Sequence, residues 1–276
     1  MSEGSAHSVQ FGDGGQLVKA FMRFDDAFRS FQPYFPDSFL QTVHTAMSNL
    51  IVHGGMPLRG RITPSANKNA VIPILCATLL TREPLKLVGV PDITDVRKIL
   101  DIFRVLGSDV RWDSDTGTLD LHHKDTHFDA AKHHLPEEMR SSIMLMPPLL
   151  TRYVVARLED NVKGCTLGVR EIDPHVEVFR NFGGHVERAL GSLLIQRSGP
   201  LKAVNHWLDY ASVTTTENFV LCAAAAEGTS TLNNAASEPH VQEFCRFMQM
   251  LGVQIEGLGT SRVTVHGGAK LGGGEF

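Results

Sequence analysis

Two kinds of apolar spacing take turns along this chain, and their order recurs. From Thr94, the apolar residues Val96, Ile99, Leu100, Phe103 and Leu106 follow helical spacing, and Gly107 ends the run. Two alternating segments follow, DVRW and TLDLHH, separated by SDTG, which reads as a hairpin. From Pro239 the helical set is Val241, Phe244, Cys245, Met248 and Leu251 at the same offsets, ended by Gly252 and followed by VQIEG, LGTS and RVTVHG. A shorter copy runs from Asp173 through VEVFRNFG, HVERA, LGS and LLIQ. Its helix is about one turn shorter, which keeps the apolar face in phase. A glycine after the last apolar residue suits a left-handed C-terminal cap. Recurrence of this kind marks stacked copies of one supersecondary unit.

The segment before each copy recurs as well. NKNAVIPILCATLL (67–80), EEMRSSIMLMPPLL (137–150) and TTENFVLCAAAA (215–226) are apolar nearly all round, which predicts helices buried inside a domain. Short strands are predicted after them at 85–89, 153–158 and 230–234. The unit is therefore strand, helix, strand, helix, strand, strand. Three units, at about 59–125, 126–200 and 201–270, predict an α/β domain over 51–276 with buried helices and sheets outside. Residues 1–50 fit no unit. They read as an N-terminal extension with amphipathic helical stretches at 17–32 and 37–50, suited to packing or dimerisation.

Composition narrows the class. The 276 residues are 42% hydrophobic and 20% charged, ordinary for a globular protein, and the net charge of −4 gives no sign of nucleic-acid binding. No apolar run reaches the roughly 18 residues of a membrane span. The start MSEGSAHSVQFGDGG lacks the character of a signal peptide, so a cytoplasmic location is expected. Cys76, Cys222 and Cys245 lie in helical patterns as small buried hydrophobes. Cys165 lies in a polar loop with Lys163 and Arg170, where cations lower a thiol's pKa; an incidental loop thiol fits the pattern as well. No CxxC pair or other metal-ligand spacing is present, and no metal or organic cofactor is expected.

Candidate chemistry gathers where units begin. Lys68 opens the first buried helix, where its charge opposes the helix dipole unless it binds an anion together with the backbone N–H groups. Arg140 opens the second, and Arg170 precedes Asp173 and His175 at a third helix start. Each is equally compatible with a local ion pair or a solvated side chain. Together with a loop thiol they suggest a small polyanionic ligand.

GRITPSANKNAVIPILCATLL, MRSSIMLMPPLLTR, GCTLGVREIDPHV, CAAAAEGTSTLNNAASEPHV and the final LGGG resemble, in order, motifs of the enolpyruvyl transferases, in particular the UDP-N-acetylglucosamine 1-carboxyvinyltransferase branch. The resemblance runs from about Leu50 to Gly274 and covers one of the family's two domains, so the second domain is expected to be missing or supplied separately. It implies transfer of enolpyruvate from phosphoenolpyruvate to a sugar hydroxyl in a cleft between domains. By position, Lys68 would contact phosphoenolpyruvate, Asn69 the sugar nucleotide, and Cys165 would donate a proton. Arg170 and Arg140 would be cleft arginines. Asp173, His175, Ser212 and Val213 would lie against uridine and its phosphates. The sequence departs from the family at Tyr210, often basic there, and at Thr214, commonly glycine. Two further readings are open: a noncatalytic nucleotide-sugar-binding module, and a transferase for another nucleotide-linked acceptor.

Overall fold

The computed structural model describes residues 7–8, 21–22, 59–133, 135, 139–159, 172–189 and 191–276. The chain divides into two compact units, Met1–Ser65 and Ala66–Phe276. In the first, β1 (His7–Ser8) pairs antiparallel with β2 (Phe21–Met22). Phe21–Met22 falls inside the stretch expected to be helical. A short apolar run fits helix and strand spacing alike, and here strand pairing wins.

The second unit carries the repeat. Its elements are α1 (Lys68–Thr78), β3 (Leu85–Leu87), α2 (Thr94–Val105), β4 (Asp109–Asp113), β5 (Thr118–His122), a 3₁₀ segment (Arg140–Leu145) running into α3 (Met146–Tyr153), β6 (Val155–Glu159), α4 (Asp173–Asn181), β7 (His185–Ala189), β8 (Ser192–Gln196), β9 (Asn205–Trp207), α5 (Val213–Ala225), β10 (Thr229–Asn233), α6 (Pro239–Met250), β11 (Gln254–Glu256), β12 (Arg262–His266) and β13 (Gly274–Glu275). Three sheets repeat one order: β4-β5-β3-β13, β7-β8-β6 and β11-β12-β10-β9. In each, the strand after the inner helix pairs antiparallel with the second strand of the hairpin.

The helix faces are buried as their spacing requires. Every member of the matched apolar sets associated with α2 and α6 is at most 2% exposed. Gly107, Gly183 and Gly252 take left-handed conformations just past α2, α4 and α6, which spares each helix the cost of a Cβ there. The inner helices are enclosed: Ala70 to Thr78 of α1 and Thr215 to Ala224 of α5 are all buried. Among the described residues, no helix is long and apolar enough to cross a membrane.

Two elements differ from expectation. The inner stretch of the second unit is 3₁₀ over Arg140–Leu145 and becomes α-helical only at Met146. Pro147 and Pro148 cannot donate the N–H bonds that would carry an α-helix back through the preceding turn, and they suit a helix start. The opening strand of the first unit is also supplied differently. In the third sheet that place belongs to β9, parallel to β10. In the first it belongs to β13, parallel to β3, with Gly274 beside Leu85 and Glu275 beside Lys86. The chain thus returns from the third unit to close the first sheet. A Cβ on Gly273 would collide with the Pro84 carbonyl, so the LGGG run serves that close approach.

Candidate functional site

In each unit the inner and outer helices start side by side, and the starts are linked across units. Lys68 Nζ of α1 pairs with Asp95 Oδ2 in the first turn of α2 at 2.5 Å. Asn67 and Ala70 at the start of α1 line an open groove with Glu243 of α6 and Phe276. The Ala236 N–H, just before α6, donates to Thr216 Oγ1 in the first turn of α5 at 3.0 Å. His175 in the first turn of α4 lies 3.3 Å from Thr214 Oγ1 and 3.4 Å from Thr215 Oγ1, both in the first turn of α5. Arg140, opening the 3₁₀ segment, is close enough to His175 to disfavour its protonation. One end of this unit therefore presents the N-termini of α1, α2, the 3₁₀ segment, α4, α5 and α6. Unpaired N–H groups and aligned dipoles make such an end attractive to anions.

The residues singled out from the sequence fall into three groups. Lys68, Asn69, Arg140, Ser212 and Val213 stand at this end: Lys68 and Asn69 are exposed, and the other three are half-buried. The Asn67 side chain caps α1 by accepting the Asn69 N–H at 2.8 Å. Ser212 caps α5 by accepting the Thr215 N–H at 3.4 Å. Asp173 and His175 share the location but are occupied. Exposed Asp173 pairs with Arg188 of β7 at 2.5 Å. His175 is 1% exposed and spends both ring nitrogens within the protein, Nδ1 on Asn218 Nδ2 at 2.9 Å and Nε2 on the two threonines. Its ring joins α4 to α5 and does not face outward. Cys165 and Arg170 lie outside the described residues.

Electrostatics at this end is mixed. Asp95 offsets the lysine's poor fit to the α1 dipole while itself sitting well in the first turn of α2. Burial brings the His175 pKa down to about 3, with the Arg140 charge acting in the same direction. Glu217 in α5 is 1% exposed, and burial holds its carboxyl well above the usual range, reinforced by the Glu238 charge. Among the described residues its Oε1 has no hydrogen-bond partner. Cys76, Cys222 and Cys245 are buried, and burial raises all three thiols, which makes them inert.

Sequence reasoning passed over Asp95, Arg188, Thr215, Glu217 and Asn218. A signal existed for the last three. TTTEN (214–218) is a polar run at the start of a helix otherwise apolar all round, and buried polar groups must find partners.

A family model described as EPSP synthase (3-phosphoshikimate 1-carboxyvinyltransferase) matches residues 52–276. UDP-N-acetylglucosamine 1-carboxyvinyltransferase of Coxiella burnetii, strain Dugway 5J108-111, is 35% identical over 230 residues, 83% of this chain and 52% of that protein. The protein of strain RSA 493 matches equally well. The chain spans about half the length of these curated relatives. The enolpyruvyl transferase NikO from Streptomyces tendae has a similar fold, with a TM-score of 0.69 at 22% identity over 82% of this chain and 53% of that one. EPSP synthase from Acinetobacter baumannii gives a TM-score of 0.63 at 18% identity, over 78% and 48%.

Proposed function

Because the chain belongs to the EPSP synthase family of enolpyruvyl (carboxyvinyl) transferases, we propose that it forms one lobe of an enzyme that moves an enolpyruvyl group from phosphoenolpyruvate to a hydroxyl of UDP-N-acetylglucosamine, releasing phosphate. A second lobe, from further residues or another chain, completes the cleft. The observation that carries this reading is the common end shared by the helix N-termini, Lys68 and Arg140. Both substrates are polyanions, and that end is built to attract them. The relatives named for this acceptor, 35% identical to this chain, support it. In this reading the protein supplies cell-wall precursors in the cytoplasm.

In this reading Lys68 leaves Asp95 for the phosphate or carboxylate of phosphoenolpyruvate, and Arg140 faces the same charge. Their fixed positive fields stabilise negative charge that builds up during transfer. Ser212 and Val213 offer the start of α5 to the nucleotide's diphosphate. Proton donation by Cys165 and phosphate contact by Arg170 rest on the family resemblance. A noncatalytic nucleotide-sugar module is the second reading, favoured by the ion pair that already occupies Lys68 with Asp95.

Turnover separates the two. The chain alone is expected to release no phosphate from phosphoenolpyruvate and UDP-N-acetylglucosamine, because closure of a second lobe excludes water and assembles the site. Mixed with the complementary half of a 35% identical relative, it is expected to release phosphate, and Lys68→Ala is expected to lower that rate by about 100-fold or more. UDP-sugar binding with no turnover in the mixture would support the binding module. Turnover by the chain alone would contradict the one-lobe reading.

A further inference from the structure

The buried polar groups between α4 and α5 form hydrogen bonds whose direction is fixed by their chemistry. Asn218 is 0% exposed, and its Nδ2 reaches the Ile143 carbonyl at 3.4 Å and His175 Nδ1 at 2.9 Å. A carbonyl can only accept, so the amide must turn its nitrogen toward this pair. Among the described residues no partner holds Asn218 Oδ1 on the other side, so none opposes that orientation. His175 Nδ1 then accepts, and the single proton of the neutral ring sits on Nε2. Nε2 faces the hydroxyls of Thr214 and Thr215 at 3.3 and 3.4 Å. Thr215, itself 0% exposed, donates its O–H to Ser212 Oγ at 2.8 Å. Ser212 Oγ also receives the Thr215 N–H at 3.4 Å. A hydroxyl oxygen has two lone pairs. With both engaged, the half-buried Ser212 hydroxyl has only its proton left to offer.

We propose that His175 is a positioning residue: acting through Thr215, it turns the Ser212 hydroxyl into a pure donor toward a phosphate oxygen of a nucleoside diphosphate at the start of α5. The proposal rests on the nucleotide-sugar reading above and replaces direct ligand contact as the role of His175. The opposite tautomer would reverse the relay. Thr215 would then accept from Ser212, and the serine would show its lone pairs to an anion and repel it. Neutral imidazole suits the task because it carries one donor and one acceptor at fixed separation. Its enclosed position, with a pKa near 3, keeps the ring in that form at physiological pH.

Two measurements on the full chain test this. Nitrogen-15 NMR of the ligand-free protein at neutral pH should find His175 with a bare Nδ1 and a protonated Nε2; a ring protonated at Nδ1 would overturn the relay. UDP titrations then compare the wild type with Thr215→Val, which keeps the volume and removes the hydroxyl, and Thr215→Ser, which keeps the hydroxyl. The valine variant should bind UDP about tenfold more weakly, the worth of one charge-assisted hydrogen bond, with serine restoring affinity to within about twofold. Equal affinity in wild type and Thr215→Val would overturn the proposal. So would a serine variant as weak as the valine one, because packing alone would then be the cause. Absence of UDP binding in the wild type would contradict the nucleotide reading beneath it, while the tautomer would still decide the relay.

Discussion

In a Glu217→Gln background, lowering the pH from 7 to 5 is expected to remove about 4 kcal/mol of folding stability, chiefly through two histidines. His123 is 0% exposed, held between Thr78 Oγ1 on Nε2 at 2.9 Å and Ser108 Oγ on Nδ1 at 2.7 Å. Its ring also meets Phe103 edge-on with centroids 4.8 Å apart. Burial brings its pKa from 6.5 to about 3, with the Arg152 charge adding to the effect; His175 is lowered from 6.5 to about 3 in the same way. Both rings stay neutral in the folded protein while the unfolded chain takes up protons below about pH 6.5. A lowered folded-state pKa gives stability that is complete above the unfolded value and is lost as pH falls toward the folded one. At pH 5 each ring has lost about 2 kcal/mol of that stability. Glu217 acts in the other direction. Its raised pKa keeps it protonated when folded, whereas the unfolded chain ionises above 4.5, so its burial costs more as pH rises. The wild type should therefore lose less than the variant over the same interval. Urea unfolding of both proteins at the two pH values measures the difference. A variant equally stable at pH 5 and 7 would contradict the neutral, buried state of these rings.

Truncating Phe219 to alanine should cost about 3–5 kcal/mol. Phe219 is fully buried in α5, the helix that packs against α3, α4, α6, β10 and β12. Its ring meets Phe182, the residue that closes α4, at 5.1 Å and 63°, a geometry that adds to the value of the buried area. The cavity would open where two repeat units meet, with backbone on either side tied into helices, so little collapse can fill it. Phe219→Leu leaves a smaller void and should cost clearly less. Denaturant unfolding measures both, and a loss under about 1 kcal/mol for the alanine variant would mean that α5 is not the central packing element.

How far the sequence reveals this fold depends on whether an element is fixed locally. The outer helices were legible because helical spacing and a following glycine act within one segment: the apolar sets Val96, Ile99, Leu100, Phe103, Leu106 and Val241, Phe244, Cys245, Met248, Leu251 are buried, and Gly107 and Gly252 take left-handed conformations just past them. The hairpins were legible for the same reason, since their strands join through short glycine turns. The place of β13 was not, because its partner β3 lies far away in sequence and only the closed first sheet decides it. At the site, Lys68 and Arg140 stood out as charges at helix starts and Ser212 through the family resemblance, and they share one end. The partners that define their behaviour did not stand out. Asp95 belongs to another helix, and it determines whether Lys68 is free or paired. The family resemblance set His175 against the nucleotide, and its ring is instead buried against Asn218.

The most direct test of the anion-binding end is a titration of the nitrogen-15-labelled chain with UDP-N-acetylglucosamine, followed through its backbone amides. The largest shifts should fall at the helix starts near residues 67–70, 94–96, 140–143, 173–176, 212–216 and 236–240. Shifts confined to the opposite end of α5, around Arg197, Leu201 and Ala225, or no saturable shift at millimolar ligand, would contradict it.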